Sequence, residues 1–378
     1  MERDVAVVLS GGAVNGVLLE LGFLKRLRAS TLWPRVGWIY GTSAGALSGT
    51  MAALDRLDAL ERFMLDLQPD DVFRPHSLWR LPLLGSHDYR LPETIAERLG
   101  DIEQIAAELA SSPLEVVVCA TDVSDDAHDP AGAHAYELCY SSRSTPAATM
   151  AEAILASAAV SALVLPRPVA DRIATDGAWV RNFPLGHAYR RPGVELIVSF
   201  RYVPTYARSG ADWIERFRRR LERFPRVPPV RALIAELRLA EERAGRGEPA
   251  HWGDMIVRLM RVAVQQNTVV EERVARETDK ALTELERLRA DVGAIIRREG
   301  GRRGERVARA VDERFGAAEF PFAGERFVPR IAVQASAGEL TLETGLRRPQ
   351  PWGEDEKRAL IARGYALLDD VLAERAVA

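Results

Sequence analysis

The chain has only two cysteines, Cys119 and Cys139, among 378 residues. They form no C-x-x-C and fall in separate apolar stretches. The expectation is therefore a pair of buried thiols, with neither a disulfide framework nor a metal site. Long hydrophobic runs are also missing. The first apolar stretch, Val5 to Leu9, is too short for a signal-peptide core or a membrane span, which predicts a cytoplasmic protein. Nor is one sign of charge in excess: 51 Lys and Arg stand against 54 Asp and Glu, for a net charge of -3. That near-balance removes the electrostatic ground for a nucleic-acid partner. What is present, 47% hydrophobic and 28% charged residues, is the composition of a globular protein long enough to bury a substantial core as one large domain or two ordinary ones.

Within this background, Ile39 to Thr50 reads as a strand, a tight turn and a helix. Ser43 sits at the turn, with Gly41 and Gly45 at the G-x-S-x-G spacing of a nucleophile elbow, whose small neighbours let the chain pass the serine in a strained conformation. The helix that follows offers unpaired N–H groups and a positive dipole end where an oxyanion would develop. So short a pattern arises by chance in an Ala- and Gly-rich chain, and its surroundings must decide.

Upstream, the strand Val5 to Leu9 enters the loop Ser10-Gly11-Gly12-Ala13-Val14-Asn15-Gly16, and Leu18, Leu21, Leu24 and Leu27 then recur at helical spacing. Such a loop can present N–H groups to a dinucleotide pyrophosphate, a nucleotide phosphate or a carbonyl oxyanion. The glycines do not fit G-x-G-x-x-G, and Val17 and Leu18 stand where a P-loop needs Lys and Ser or Thr. An oxyanion loop and a ligand-free glycine turn remain. Val36 to Tyr40 supplies a second strand, and two strand-loop-helix units in close succession predict a parallel sheet with both loops on its carboxyl edge.

Further on, Asp55 to Leu67 and Pro92 to Ala110 read as amphipathic helices, joined by a connection suited to cover a cleft. Leu114 to Ala120 is a buried strand, and Ala133 to Tyr140 its antiparallel partner. Between them, Asp122, Asp125, Asp126 and Asp129 invite a calcium reading, but the loop lacks the glycine and glutamate of an EF-hand, so a solvated turn is favoured. Thr145 to Ala159 is helical, Pro166 and Pro168 force an extended passage, Asp176-Gly177 reads as a turn, and Val194 to Phe200 is a strand. From Asp212 to Gly316 the chain is Arg- and Glu-rich and helical. Trp213, Ile214, Phe217, Leu221 and Phe224 share one face there, among Arg216, Arg218, Arg219, Arg220 and Arg223. That pattern suits peripheral contact with an anionic membrane, or a solvated face on a packed helix. Strands are expected again at Arg330 to Ala335 and Glu339 to Thr344, and a closing helix at Asp355 to Ala373.

Taken together, the Ser-Gly-Gly loop, Gly41-Thr42-Ser43-Ala44-Gly45 and Asp176-Gly177-Ala178 resemble the patatin-like phospholipase family. Cys119-Ala120-Thr121-Asp122, Ala156-Ser157-Ala158-Ala159 and Asn182-Phe183-Pro184 also fit its pattern. The resemblance implies an α/β, three-layer hydrolase with a mostly parallel central sheet, plus the Arg-rich helical lobe. The core would span 1–205, the lobe 206–325, and strands and a helix completing the core 326–378. It further implies a Ser-Asp dyad acting on lipid carboxyl esters without metal or cofactor: Ser43 as nucleophile, Asp176 as general base, and N–H groups around Gly11, Gly12 and Ala13 as the oxyanion hole. Gly41, Gly45, Asn15, Gly16 and Gly177 would support elbow and loop. A triad using one of His76, His87, His128, His134, His187 or His251 is the alternative for catalysis, and a scaffold that binds lipid or a partner is the alternative to an enzyme. The family's loop usually carries a third glycine and a basic residue where this chain has Ala13 and Asn15, which implies a strained, less positive loop.

Overall fold

The computed structural model describes residues 3–76, 87–125, 136–160, 164–202, 215, 218–223, 228–246, 248, 252–316, 328–335 and 351–377. The fold is mixed α/β. Strand β1 (Val5–Leu9) leads into helix α1 (Ala13–Arg28), and β2 (Val36–Thr42) into α2 (Ala44–Ala53). Then follow α3 (Leu57–Asp66), the short α4 (Pro69–Val72), a small hairpin of β3 (Phe73–Pro75) and β4 (His87–Tyr89), α5 (Leu91–Arg98) and α6 (Ile102–Ser111). Next come β5 (Glu115–Asp122), β6 (Glu137–Ser141), α7 (Ala147–Ser157), β7 (Arg167–Val169), β8 (Arg172–Asp176), α8 (Ala178–Arg181), α9 (Leu185–Arg190) and β9 (Leu196–Tyr202). The chain continues with α10 (Pro228–Gly245), the long α11 (Trp252–Glu299), α12 (Gly301–Gly316), β10 (Arg330–Ala335) and α13 (Glu354–Val377).

The main sheet runs β10-β9-β1-β2-β5-β8-β7, with β6 also paired to β5. From β10 to β5 every pairing is parallel, whereas β5 meets β6 and β8 antiparallel. β1 is buried on both faces, as its unbroken Val5 to Leu9 run requires of a parallel strand between helices. One face packs on α1, α2, α3, α7 and α13 through residues such as Leu18, Phe23, Ile39, Met51, Val118, Ile154 and Leu360. The other carries Ala6, Val8, Tyr40 and Val117 against Phe183, Leu185 and Ala188.

The register of β5 sets up the site. β2 pairs with it from Glu115 to Cys119, β6 from Val117 to Thr121, and β8 from Ala120 to Asp122. Because β6 overlaps both of the others along β5, β2 and β8 must share the opposite edge. They meet head to head: Thr42 opposite Cys119 ends one, and Asp176 opposite Ala120 ends the other. The turn expected at Asp176 is thus corrected to the last residue of a strand. Pro168 is accommodated because β7 closes the sheet as its edge, where a missing N–H costs no ladder bond.

The single helix expected at Pro92 to Ala110 is two, broken at Gly100, whose φ of 107° lies where L side chains are rarely found. Asp101 then restarts it by accepting the Glu103 N–H at 2.9 Å. Asp122 is buried and accepts the Ser124 N–H at 2.9 Å, a turn interaction; Asp126 and Asp129 lie outside the described residues, as do the expected strand at Glu339 to Thr344 and most of the basic amphipathic segment. Of that segment, Leu221 packs on Leu237, and Arg218 pairs with Glu222 and Glu241. Among the described residues, no helix is long and apolar enough to cross a membrane.

Candidate active site

Ser43 stands between β2 and α2 with φ 53° and ψ -113°, the strained backbone of a sharp strand-to-helix turn. The glycines around it are required by close approach. A Cβ at Gly41 would lie 2.2 Å from the Gly45 carbonyl oxygen, and one at Gly45 would lie 2.6 Å from Leu9 Cβ. The Ser43 N–H donates to Ser157 Oγ at 2.8 Å, and Ser157 Oγ donates to the Cys119 carbonyl at 2.6 Å. A residue of α7 thus ties the elbow to β5.

Ser43 Oγ donates to Asp176 Oδ2 at 2.8 Å. The other carboxylate oxygen accepts the Ala178 N–H at 2.8 Å, which fixes the plane of the group. Asp176 is buried, and that desolvation pushes its pKa up to about 6, against the lowering effect of the Ala178 N–H and the Ser43 hydroxyl. Gly177 is needed next door, since a Cβ there would sit 2.2 Å from the Cys119 carbonyl oxygen. Two sequence-selected residues separated by 133 positions are therefore in direct contact.

The glycine loop faces them. A Cβ on Gly11 would lie 3.2 Å from Ser43 Cβ, and one on Gly16 would lie 3.2 Å from Ala44 Cβ. One expected oxyanion donor is corrected: the Gly11 N–H donates to the Asn182 carbonyl at 3.0 Å and is already engaged. The N–H groups of Gly12 and Ala13 meet no acceptor among the described residues. Ala13 has a φ of 49°, left-handed geometry that costs a non-glycine residue about 1 kcal/mol or more. Asn15 is half-buried in the first turn of α1.

Ser157 and Asn182 fit the family pattern in sequence, but only the fold gives them roles. Asn182 is buried, holds Gly11 through its carbonyl, and donates from Nδ2 to Thr268 Oγ1 on α11 at 2.8 Å. Its Oδ1 lies where a Gly11 Cβ would be, 2.5 Å away, and has no hydrogen-bond partner among the described residues. Behind the elbow, Ser48 Oγ lies 2.7 Å from the Ala44 carbonyl and 2.5 Å from Glu20 Oε2. Burial pushes the Glu20 pKa well above the ordinary carboxylate value, against the lowering effect of the Ser48 hydroxyl.

None of the described histidines, His76, His87 and His187, hydrogen-bonds Ser43 or Asp176; His128, His134 and His251 lie outside the described residues. His187 is on α9, and its Nε2 lies 2.8 Å from Glu137 Oε1 and 3.4 Å from Cys139 Sγ. The two cysteines, expected as separate buried thiols, are cross-strand partners with sulfurs 3.7 Å apart, and Cys139 is exposed. Their spacing in sequence concealed this because the strand pairing, not the chain, brings them together.

Comparisons with known proteins give these observations a family. The chain is similar over its length to a crystal structure of VipD from Legionella pneumophila, at 13% identity and a TM-score of 0.37, covering 99% of this chain and 67% of that one. No curated protein matches it. The model of the patatin-like phospholipase family, a family of lipid hydrolases, matches residues 7–189, a span holding the glycine loop, Ser43 and Asp176. Residues 7–189 of the chain are thus similar to the patatin-like phospholipase family.

Proposed function

We propose that the protein is a serine acyl hydrolase that cleaves lipid carboxyl esters with Ser43 as nucleophile and Asp176 as general base. The observation that carries this reading is the 2.8 Å hydrogen bond from the Ser43 hydroxyl to Asp176 Oδ2, made at a serine held in strained backbone geometry. A serine hydroxyl is a weak nucleophile without an adjacent base. A buried carboxylate with a pKa of about 6 is ionised at neutral pH and is a stronger base than a solvated one.

In the first step, Ser43 Oγ attacks the ester carbonyl carbon while its proton passes to Asp176 Oδ2. The Gly12 and Ala13 N–H groups, with the start of α2, stabilise the oxyanion; one such donor is worth about 3 to 4 kcal/mol of transition-state energy. The carbonyl re-forms as Asp176 returns the proton to the departing alcohol, leaving an acyl-Ser43 ester. Water, deprotonated by Asp176, then attacks that ester, and Asp176 passes the proton to Ser43 Oγ as it departs, releasing the carboxylic acid.

The test is hydrolysis of short and long p-nitrophenyl esters and of phospholipids by the full chain, with Ser43→Ala as the blank. Turnover by the parent alone supports the reading. Binding of phospholipid without turnover supports a lipid-binding scaffold. Peripheral contact with an anionic surface through the 213–223 segment belongs to the same proposal and is favoured by the exposed Arg219, Arg220 and Arg223. Vesicle sedimentation should then require anionic lipid and weaken with salt, whereas binding indifferent to charge would assign that segment to packing.

A further inference from the structure

Cys119, Glu137, Cys139 and His187 each offer one ligand atom, and all four atoms lie within 4.8 Å of one another. Strand geometry explains the cluster. Glu137 and Cys139, two apart on β6, point to the same face, and Cys119 is directly opposite Cys139 on β5. Helix α9 packs on that face and brings His187. The geometry points to a zinc site with two thiolates, the His187 Nε2 and one Glu137 carboxylate oxygen as its ligands, distinct from the Ser43 and Asp176 pair.

The distances favour an ion over the alternatives. Zinc with bonds of about 2.3 Å to sulfur and about 2.0 Å to nitrogen sets tetrahedral edges of about 3.8 Å between sulfurs and about 3.5 Å between sulfur and nitrogen. The observed edges are 3.7 Å between the two sulfurs and 3.4 Å from Cys139 Sγ to His187 Nε2. Cys139 Sγ to Glu137 Oε1 is 3.7 Å, close to the edge of about 3.5 Å that a sulfur and a carboxylate oxygen would span. Of these four edges, the 2.8 Å one from His187 to Glu137 must open by about 0.5 Å, and the two from Cys119 Sγ to His187 and Glu137 lie within 4.8 Å. A disulfide needs its sulfurs at about 2.05 Å, far inside the observed separation.

Donor chemistry agrees. Two thiolates exclude magnesium and calcium, which take oxygen ligands, while imidazole and carboxylate beside them suit zinc. The surroundings complete the site. Arg181 binds both Glu137 oxygens, through Nε to Oε1 and through Nη2 to Oε2 at 2.9 Å, so its guanidinium balances that carboxylate while the thiolates balance the dication. The His187 ring lies nearly parallel to Tyr40, at 10° and 6.4 Å between centroids, which orients it. Exposure of Cys139 gives the ion an entry path. The role follows from position: the ion would clip β5, β6 and α9 together at Cys119, whose carbonyl also supports the elbow through Ser157.

The experiment is metal analysis of the full chain purified with reductant and without chelator, followed by cobalt(II) titration of the stripped protein. One zinc per chain is expected, with a thiolate-to-cobalt charge-transfer band and the intense visible bands of a tetrahedral site. Cys139→Ser and His187→Ala should each weaken binding at least about tenfold. Cys119→Ser, at a buried position, risks misfolding, so those two variants and Glu137→Gln carry the test; Ser43→Ala should bind as the parent does. Zinc content unaffected by Cys139→Ser and His187→Ala, cobalt bound without a thiolate band, or no uptake by the reduced protein would each overturn the proposal. So would a Cys119–Cys139 disulfide that accounts for both thiols in protein that takes up no metal after reduction.

Discussion

Asp176 sets the pH behaviour expected of the molecule. Its ordinary pKa is 3.8, and burial moves it to about 6. Between those values the folded protein holds the proton more tightly than the unfolded chain does. The ionised group therefore costs stability above about pH 6 and costs nothing below about pH 4. At neutral pH the cost is on the order of 3 kcal/mol, since a tenfold difference in proton affinity corresponds to about 1.4 kcal/mol. Asp176→Asn removes that cost while abolishing the base. It should raise Tm at pH 7.5, with the gain vanishing toward pH 4, in paired thermal melts of the two proteins. A Tm that falls at both pH values would mean that the carboxylate is held by compensation the buried pair does not provide. Ser43 carries the complementary strain, a φ of 53°.

At the scale of elements, the site depends on β2 and β8 ending head to head along β5, with α7 bracing the junction. Ser157 serves both sides of it, accepting from Ser43 and donating to Cys119. Ser157→Ala leaves a buried N–H and a buried carbonyl without their partner, at about 1 to 3 kcal/mol for each group. The expected outcome is a lower Tm and a kcat reduced by one to two orders of magnitude with KM little changed, because the elbow shifts while the substrate surface stays. Unchanged kcat in steady-state ester hydrolysis would show that the elbow holds its own shape. Sequence made the first half of this arrangement legible. β1, β2, β5 and β9 are apolar runs of strand length, and Gly41, Gly45 and Gly177 mark places where backbones touch. β7 and β8 were concealed by Pro166, Pro168 and the turn-like Asp176-Gly177, features an edge hairpin tolerates. Ser157 lies in a stretch that fits the family pattern, but its bracing role was not legible, since its partner lies 114 residues away.

At the scale of the whole molecule, the long α11 is joined to the catalytic side of the core. Asn267 donates to the Ala178 and Trp179 carbonyls, Glu271 accepts from Arg181, and Glu272 pairs with Arg330 at the start of β10. These residues lie on one side of the helix beside Thr268, which receives the Asn182 amide. Asn182 in turn holds the glycine loop through Gly11. The sequence showed α11 only as an Arg- and Glu-rich helical stretch, and charge periodicity says nothing about what a helix touches. Thr268→Val keeps the shape and removes the acceptor. It should lower kcat several-fold with KM nearly constant, in the same ester assay, whereas an unaltered kcat would separate α11 from the oxyanion loop.

The measurement that bears most directly on the Ser43 and Asp176 chemistry is the rate of covalent labelling of the full chain by a fluorophosphonate across pH, with the adduct located by mass spectrometry. The expected result is a single adduct on Ser43, formed at a rate that rises through about pH 6 as Asp176 ionises. The label should be absent in Ser43→Ala and strongly slowed in Asp176→Asn, while folded His187→Ala still forms the Ser43 adduct. An adduct on another residue, no adduct at any pH, or no Ser43 adduct in folded His187→Ala would contradict it.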